Sequence, residues 1–242
     1  MKASDLKASL LQLAVSGKLV LQDPNDEPAG ALLKRIKKER EALLKAGKIK
    51  TGKPLSPVSE EEKPFEIPAS WEWVRLGNLC KIVGDGLHGT PEYDINGDYY
   101  FINGNNLDGF SIKITERTQR VNKSQYELYK KDLTLNTLLY SINGTIGNIA
   151  YYNNEKVILG KSAAYFTLLN GVLREYLAVI LRSNSTRLYF KENLTQTTIG
   201  NLPLSALRSL PFPLPPLAEQ QRIVERVKEL MGLCDRISTH GK

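Results

Sequence analysis

The sequence of 242 residues contains only two cysteines, Cys80 and Cys234, and two histidines, His88 and His240. The two cysteines do not form a Cys-x-x-Cys pair, which excludes a disulfide framework and a zinc finger. No apolar run approaches the roughly 18 residues that a membrane span requires, and Leu10–Val15 is too short for the core of a signal peptide. We therefore expect reduced thiols, no bound metal, no membrane association and a cytoplasmic location.

Motifs of nucleotide-binding and catalytic sites are incomplete or missing. Gly84–Gly89 has the Gly-x-Gly-x-x-Gly spacing of dinucleotide-binding loops, but Pro91 and Gly97 leave no room for the helix that must follow, so we expect a ligand-accessible loop. Gly160–Ser162 ends like a phosphate-binding P-loop, yet Glu155 stands where that motif requires glycine. The Asn/Asp-Pro-Pro-Tyr/Phe motif of enzymes that methylate base amino groups is absent. We predict no catalytic residues and a non-enzymatic chain.

Positive charge is concentrated in one segment. The chain has 33 Lys and Arg against 26 Asp and Glu, a formal net charge of +7. Residues 34–53 contain nine basic and two acidic residues, whereas residues 71–211 contain 15 basic and 12 acidic residues. A basic stretch of this kind contacts phosphates, docks a partner subunit or forms a solvated helix face, and the sequence leaves these alternatives open.

The composition divides the chain into three parts. All eleven tyrosines lie between Tyr93 and Tyr189, which separates a central domain from Leu-, Lys- and Glu-rich ends. The leucine spacing before Gly17 predicts a first helix, and Ala29–Lys45 predicts a second, basic helix. In the central part we predict strands at Asn136–Ile142, Gly147–Tyr152 and Ser162–Leu169, and helices at Ser124–Lys130 and Leu173–Phe190. Strands and helices do not alternate as βαβ units, so the fold class is α+β.

The last part predicts one helix that follows Pro213–Pro216. Its apolar residues step by four and three, as in a coiled-coil seam: Ile223, Val227, Leu230, Cys234 and Ile237. The seam needs a partner helix, and Leu6, Leu10 and Leu13 offer a matching period. The partner comes either from the same chain or from a second copy.

Three loops of the central part are rich in Asn, Gln, Ser and Thr, the side chains whose donors and acceptors match base edges. They are Asn103–Asn106, Ser141–Thr145 and Gln196–Asn201. Asn/Gly clusters are also common in ordinary turns. The three loops together therefore favour a nucleic-acid ligand only modestly.

Three motifs show a family resemblance. Leu210–Val224 (LPFPLPPLAEQQRIV), preceded by Thr198–Asn201, closely resembles the junction between a target recognition domain and a spacer helix in specificity subunits of type I restriction-modification systems. Ile67–Leu79 (IPASWEWVRLGNL) resembles the start of that domain, and Leu10–Glu27 (LLQLAVSGKLVLQDPNDE) resembles the end of a spacer helix and its following turn. The matches cover both ends of the chain and both domain borders.

The resemblance implies one mixed α/β target recognition domain flanked by long spacer helices. We expect the end of a spacer helix, the basic helix and a linker at 1–66, the recognition domain at 67–212 and a coiled-coil spacer helix at 213–242. The implied partners are double-stranded DNA, modification (methyltransferase) subunits and restriction subunits, and the chain itself holds no cofactor. S-adenosylmethionine, ATP and Mg²⁺ are expected on the partner subunits.

The family carries two recognition domains, each for half of a split target, whereas this chain has one. Two copies related by a two-fold axis would restore the pair through their spacer helices. Alternatively, the chain is half of a longer subunit.

Our predicted DNA contacts follow from loop position and side-chain chemistry: His88, Thr90, Asn105, Asn143, Thr145, Lys161, Thr197 and Asn201. The predicted partner-helix residues are those of the two apolar seams.

The leading alternative is an assembly or regulatory protein that docks a methyltransferase through its helices without contacting DNA. A nuclease would need a carboxylate cluster, which the sequence does not place.

Overall fold

The computed structural model describes residues 3–50, 52–195 and 200–240, with side chains up to Arg236. Within these residues the chain forms seven α-helices and eleven β-strands. The helices are α1 (Ala3–Val15), α2 (Ala29–Lys45), α3 (Lys123–Tyr129), α4 (Arg174–Arg182), α5 (Asn184–Glu192), α6 (Leu204–Ser209) and α7 (Leu217–His240). The strands are β1 (Glu72–Arg75), β2 (Cys80–Asp85), β3 (Tyr99–Ile102), β4 (Leu107–Asp108), β5 (Ser111–Ile112), β6 (Arg120–Val121), β7 (Thr137–Ser141), β8 (Ile149–Tyr151), β9 (Val157–Leu159), β10 (Ala163–Leu168) and β11 (Pro211–Leu214). Helices combined with mainly antiparallel strands confirm the α+β class.

The chain folds into two compact units. The helical unit takes in the described residues of 1–79, 169–192 and 209–242, and the sheet unit those of 80–168 and 193–208. These units are defined by packing, whereas the boundaries at 67 and 212 were placed by composition and motif. The recognition domain at 67–212 therefore stays a prediction about function, and parts of it fold with the terminal helices.

In the helical unit, α1 and α7 form an antiparallel pair, and α4 packs against both helices. An ion pair joins Lys7 near the start of α1 to Asp235 near the end of α7. Gln22, beyond the end of α1, bonds Glu219 in the first turn of α7. The same chain therefore supplies a partner helix for α7, which is one of the two arrangements left open by the sequence.

The predicted seam on α7 faces into the helical unit, but the seam on α1 is offset. On α7, Ile223, Val227 and Cys234 are buried and Leu230 is half-buried, while the Ile237 side chain lies outside the described residues. On α1 the buried residues are Leu11, Ala14 and Val15, whereas Leu6 and Leu10 are half-buried and Leu13 is 40% exposed. A shift of one position turns a helix by about 100°, so the predicted leucines lie beside the buried face of α1.

β1 and β11 form a two-stranded antiparallel ribbon that joins two of the motifs. Arg75 lies opposite Pro211, and the N–H of Leu76 donates to the carbonyl of Leu210 at 3.0 Å. Pro211 and Pro213 fit this strand because a ribbon leaves the outer N–H positions of each strand without a ladder partner. Residues Pro211–Leu214 therefore form a strand before α7 begins, which the proline-rich sequence does not predict.

Gln220, in the first turn of α7, is fully buried and bonds to three points of the chain. Its side-chain carbonyl accepts the N–H of Leu173 at 3.0 Å. Its amide donates to the carbonyls of Gly171 at 3.1 Å and Pro215 at 3.2 Å. Gln220 thus fixes the start of α7 to the segment that leads into α4.

Glu219, also in the first turn of α7, connects this helix to the other two motifs, Ile67–Leu79 and Leu10–Glu27. The indole N–H of Trp71 donates to its carboxylate at 2.9 Å, and the amide of Gln22 donates at 2.6 Å. Burial raises the pKa of Glu219, although both donors oppose that shift. One turn further on, Arg222 forms an ion pair with Asp26 at 2.5 Å. All three motifs therefore meet at the start of α7.

Arg75, at the end of β1, holds the linker in place. Its side chain is 6% exposed, and its guanidinium donates to the carbonyls of Ser56, Pro57 and Ser209 at 3.0, 3.0 and 2.8 Å. The fourth acceptor is the carboxylate of Glu62 at 2.6 Å. This hydrogen bond, together with the N–H of Ser59, lowers the pKa of Glu62 to about 2.

The sheet unit contains a four-stranded antiparallel sheet in the order β2-β10-β7-β8 and a three-stranded sheet in the order β6-β3-β9. β3 and β9 are parallel, and β4 and β5 form a hairpin. β7 and β10 are buried along their whole length, which explains their nearly continuous apolar sequences. Ile102, Leu139 and Leu159 lie at the centre of the hydrophobic core.

The three predicted strands are present as β7, β8 and β10, each inside its predicted range. The helix predicted at Leu173–Phe190 is wrong as one helix, because Ser183 separates α4 from α5. The backbone of Ser183 is extended, with ψ 155°, and its hydroxyl donates to the carbonyl of Ile180 at 2.8 Å. A serine hydroxyl that bonds nearby backbone groups competes with helix continuation.

The helix predicted at Ser124–Lys130 is present as α3, but Ser124 is not its cap. The helix begins one residue before Ser124, at Lys123. The side chain of Asn122 accepts the N–H of Gln125 at 3.0 Å and takes the capping role.

We predict that Gln220→Leu lowers the free energy of unfolding by about 3 kcal/mol, because one buried amide and two carbonyls lose their partners. Urea unfolding followed by circular dichroism measures the change. The matched control is Gln221→Leu, since Gln221 is the next residue and is exposed. Equal losses in the two variants would contradict the connecting role of Gln220.

The Arg75–Glu62 pair predicts a pH-dependent contribution to stability. The pKa of Glu62 is depressed to about 2 in the folded protein, so its contribution is present above the ordinary value of 4.5 and disappears as the pH falls toward 2. We expect Glu62→Gln to cost about 0.5–1 kcal/mol at pH 6, where solvent screens the exposed part of the pair, and almost nothing near pH 2.

Unfolding of this variant should be compared from pH 2 to pH 7 with Glu61→Gln, which alters an exposed neighbouring carboxylate. The difference from wild type should close on acidification only for Glu62→Gln. A pH-independent difference would show that the charge of Glu62 does not contribute.

Candidate nucleic-acid interface

Loops from several strands of the sheet unit emerge at the same end. In the antiparallel sheet, Asp85 at the end of β2 lies opposite Ala164, and Ser141 at the end of β7 lies opposite Ala163. The ends of β2 and β7 therefore lie beside the start of β10. We call the resulting surface the loop end; it comprises residues 86–90, 103–106, 142–148, 160–162 and 200–202.

Backbone hydrogen bonds connect the bases of these loops into one continuous structure. They are Leu87 N–H to Leu159 O at 2.7 Å, Gly160 N–H to Ile102 O at 2.7 Å, Ile142 N–H to Ser162 O at 3.0 Å and Leu202 N–H to Ile142 O at 2.9 Å. Each bond joins loops that are distant in sequence. The loop end is therefore a supported surface, and its loops do not extend separately into solvent.

Ser141 shapes the loop between β7 and β8. Its side chain is fully buried, and its hydroxyl donates to the carbonyl of Thr145 at 2.6 Å and accepts the N–H of Asn148 at 2.8 Å. Gly144 and Gly147 have φ angles of +70° and +109°, which glycine adopts readily. The loop is thus fixed from below, with Thr145 exposed at its surface.

Ser162 and Asn103 fix the neighbouring loop after β3. The hydroxyl of Ser162 donates to the side-chain oxygen of Asn103 at 3.0 Å and accepts the N–H of Gly104 at 2.9 Å. A Cβ atom at Gly160 would lie 2.2 Å from the same Asn103 oxygen, so this contact requires glycine. Asn105 extends from the loop and is exposed.

His88 lies on the loop after β2. Its Nε2 atom is 2.6 Å from the carboxylate of Asp85 at the end of the strand, and the imidazole is 69% exposed. The residues from Gly84 to Gly89 form the end of β2 and a loop, as predicted, and the chain continues without a helix up to β3.

A cavity of about 480 Å³ opens beside His88. It is lined by Leu87, His88, Gly89, Thr90, Phe101, Asn103 and Lys161. The lining offers hydrogen-bond donors and acceptors, one cation and two apolar side chains. That combination can bind a planar ligand with polar edges, such as a nucleobase.

The structure brings seven of the eight predicted DNA contacts to the loop end. Five are exposed: His88, Thr90, Asn105, Thr145 and Lys161. Asn143 and Asn201 are half-buried and form a β-bridge with each other, with their side-chain amides 3.5 Å apart. Thr197 lies outside the described residues. No described carboxylate pairs with Lys161, so its ammonium group is available to a ligand.

Sequence reasoning missed the supporting residues Asn103, Ser141 and Ser162. Each lies within or next to a sequence segment already singled out, but its side chain points into the structure. Their position in the sequence could have identified them, because all three border a buried strand, where a hydroxyl or amide must find a hydrogen-bond partner.

The described residues include neither a metal-binding cluster nor a membrane-spanning helix. They contain no group of three or more His, Cys, Asp or Glu side chains arranged to hold a metal ion. Among the same residues, no helix has the length and apolar character needed to cross a membrane.

Comparison with known proteins gives consistent matches. A family model described as the type I restriction modification DNA specificity domain matches residues 68–242. The EcoEI specificity subunit of Escherichia coli is 32% identical over 248 residues, covering 97% of this chain and 41% of the relative. The EcoAI specificity subunit of Escherichia coli is 35% identical over 243 residues, covering 96% of this chain and 40% of the relative.

A solved structure shows a similar fold. The crystal structure of the HsdS subunit from Thermoanaerobacter tengcongensis aligns with a TM-score of 0.51 and 18% identity, over 97% of this chain and 50% of that one. This chain spans about two fifths of the length of the two curated relatives. The family model covers well over half of the sequence, and the chain therefore belongs to the type I restriction-modification DNA specificity family.

Proposed function

We propose that this chain binds double-stranded DNA sequence-specifically and directs type I modification and restriction subunits to their target, without catalysing a reaction itself. The observation that carries the proposal is the loop end, where five loops place polar side chains on one supported surface. The names of the two curated relatives as specificity subunits support the same role.

Base contacts are assigned to exposed side chains of the loop end. Asn105 and Thr145 offer neutral donors and acceptors from loops whose backbones are fixed by Ser162 and Ser141. Amide and hydroxyl groups of this kind distinguish bases in the major groove. Lys161 adds a cation that pairs with base acceptors or a phosphate.

Asn143 and Asn201 receive a different role from the one predicted. Because they are half-buried and bridge two loops, we assign them to positioning. A small displacement of a supporting residue shifts every base contact made by the loop above it, so this role remains important for specificity.

The partners are proposed from family membership. Methyltransferase subunits would dock on the helical unit, and restriction subunits would join the assembled complex. S-adenosylmethionine, ATP and Mg²⁺ are assigned to those subunits, and no cofactor to this chain.

We further propose that two copies associate through the helical unit, so that two recognition surfaces address a split target. α1 and α7 already cover each other within one chain, but both retain exposed apolar side chains. Leu13 and Leu233 are each 40% exposed, and Leu6, Leu10 and Leu230 are half-buried beside them along the helices. A second polypeptide or a second domain of a longer chain would supply the other half equally well, and the oligomeric state decides between them.

The base-contact role can be tested with Asn105→Ala. The bound DNA sequence is first selected from a random duplex library with the wild-type chain and its methyltransferase subunit. The variant should then bind the selected duplex about 5- to 150-fold more weakly, the range expected for one base contact of 1–3 kcal/mol, and random duplex with unchanged affinity.

The matched control is Asn136→Ala, because Asn136 is exposed just before β7, at the opposite end of that strand from the loop end. Equal losses of affinity for the selected and the random duplex would show that Asn105 contacts the DNA backbone and not a base. If the wild-type chain leaves the sequence preference of the methyltransferase unchanged in gel-shift experiments, the assembly-only alternative replaces the proposal.

Self-association is tested by light scattering of wild type and of the Leu13→Glu/Leu233→Glu double variant. We expect the wild type to form a dimer alone or with the methyltransferase subunit. The variant should not dimerise, because burying an unpaired carboxylate in an apolar contact is costly. Leu21→Glu serves as the control, since Leu21 is 90% exposed outside both helices. A monomer under both conditions contradicts the dimer.

A further inference from the structure

The basic helix α2 has two faces of opposite character. Its buried residues, Ala29, Leu32 and Ile36, face the interior of the helical unit. The opposite face carries four exposed lysines, which we call the lysine face: Lys34, Lys37, Lys38 and Lys45. At 100° per residue these four lie within one third of the helix circumference, with Glu41 among them.

α2 is held firmly by contacts that do not use these lysines. The N–H of Ala29 donates to the carbonyl of Ser70 at 2.9 Å. Glu39 accepts the N–H and the side-chain amide of Asn170 at 3.1 and 2.8 Å. Arg35 forms an ion pair with Glu27. The lysine face is thus presented on a fixed helix, on which Arg35, Glu39 and Arg40 already have partners.

The positive charge continues beyond the helix. Lys48, Lys50 and Lys53 are exposed, whereas Ile49, between the first two, is buried. In the described part of the chain, no carboxylate forms an ion pair with these three lysines or with the lysine face. Seven cations therefore remain without a protein counter-charge.

The sheet unit, by contrast, has a net charge of only +1. It contains ten Lys and Arg against nine Asp and Glu. Proteins that bind duplex DNA neutralise several phosphates, and this attraction supplies most of their sequence-independent affinity. A loop end in such a neutral unit can discriminate bases but has little charge with which to attract the phosphate backbone.

The side-chain types on the lysine face favour phosphate over protein. The cores of protein–protein interfaces are enriched in aromatic residues, Met and Arg, and depleted in Lys. The lysine face has no exposed aromatic or large apolar side chain at its centre. Lysine is a flexible point charge that contacts phosphates without demanding one geometry. From Lys34 to Lys45 the helix rises about 16 Å, over which one DNA strand presents about five phosphates.

We infer that the lysine face of α2 contacts the phosphate backbone of duplex DNA and supplies the sequence-independent part of its binding. The inference rests on the proposed function, since it concerns the DNA that the loop end recognises. Base discrimination and phosphate attraction are thereby assigned to different units of the chain.

The test uses the full chain with Lys34, Lys37, Lys38 and Lys45 all changed to Gln. Binding to the selected duplex and to a random duplex of equal length is measured between 50 and 300 mM NaCl. The slope of log K against log salt should become shallower by about 0.9 for each lysine in contact, which is about 3 to 4 for the full set. Affinity should fall by the same factor on both duplexes, so the specificity ratio stays constant.

The charge-matched control changes Lys123, Lys130, Lys131 and Lys156 to Gln, which lie on the sheet unit away from the loop end. This variant should keep the wild-type slope, and circular dichroism checks that both variants are folded. An unchanged slope in the α2 variant, with wild type binding DNA, overturns the inference and leaves the proposed function standing. If the α2 variant no longer binds the methyltransferase subunit but binds DNA as wild type does, the inference is overturned and the lysine face is a protein-docking surface. If wild type binds no duplex, the proposed function itself fails.

Discussion

A buried carboxylate and a buried amide at the start of α7 connect chain segments up to 197 residues apart in sequence. Glu219 accepts hydrogen bonds from Trp71 and Gln22, and Gln220 bonds the segment that leads into α4. An unpaired buried polar group is costly, so each of these segments must be in place for the others to be satisfied. The three motifs that carry the family resemblance are therefore connected by one structural requirement, the closure of the helical unit.

The candidate interface likewise depends on side-chain polar groups that find hydrogen-bond partners within the chain. Ser141 and Ser162 lie under two loops and use their hydroxyls both as donors and as acceptors. Asn105 and Thr145 are exposed above them, form no side-chain hydrogen bond to another described residue and are free for a ligand. Fixing the loop backbone in advance reduces the entropy lost on binding, which is how a mostly polar surface gains affinity and specificity.

Charge and recognition are separated in this chain. The net charge of +7 suggests a nucleic-acid ligand, yet the sheet unit that carries the candidate interface is nearly neutral. The excess is on α2 and the segment after it, where exposed lysines form no ion pair with any described carboxylate. Phosphate attraction needs only positive potential, whereas base discrimination needs donors and acceptors at fixed positions, so the two tasks place different demands on the fold.

The sequence by itself determined the helices α1, α2 and α7, the three strands with continuous apolar patterns, and family membership, because periodicity and motif are local properties of the chain. Only the tertiary structure decided that Leu11 and not Leu13 faces the core, that β1 pairs with the proline strand β11, and that Ser183 divides one predicted helix. It also showed that Asn143 is half-buried and bridged to Asn201, while Asn105 is exposed. These outcomes depend on partners distant in sequence, which no local pattern specifies.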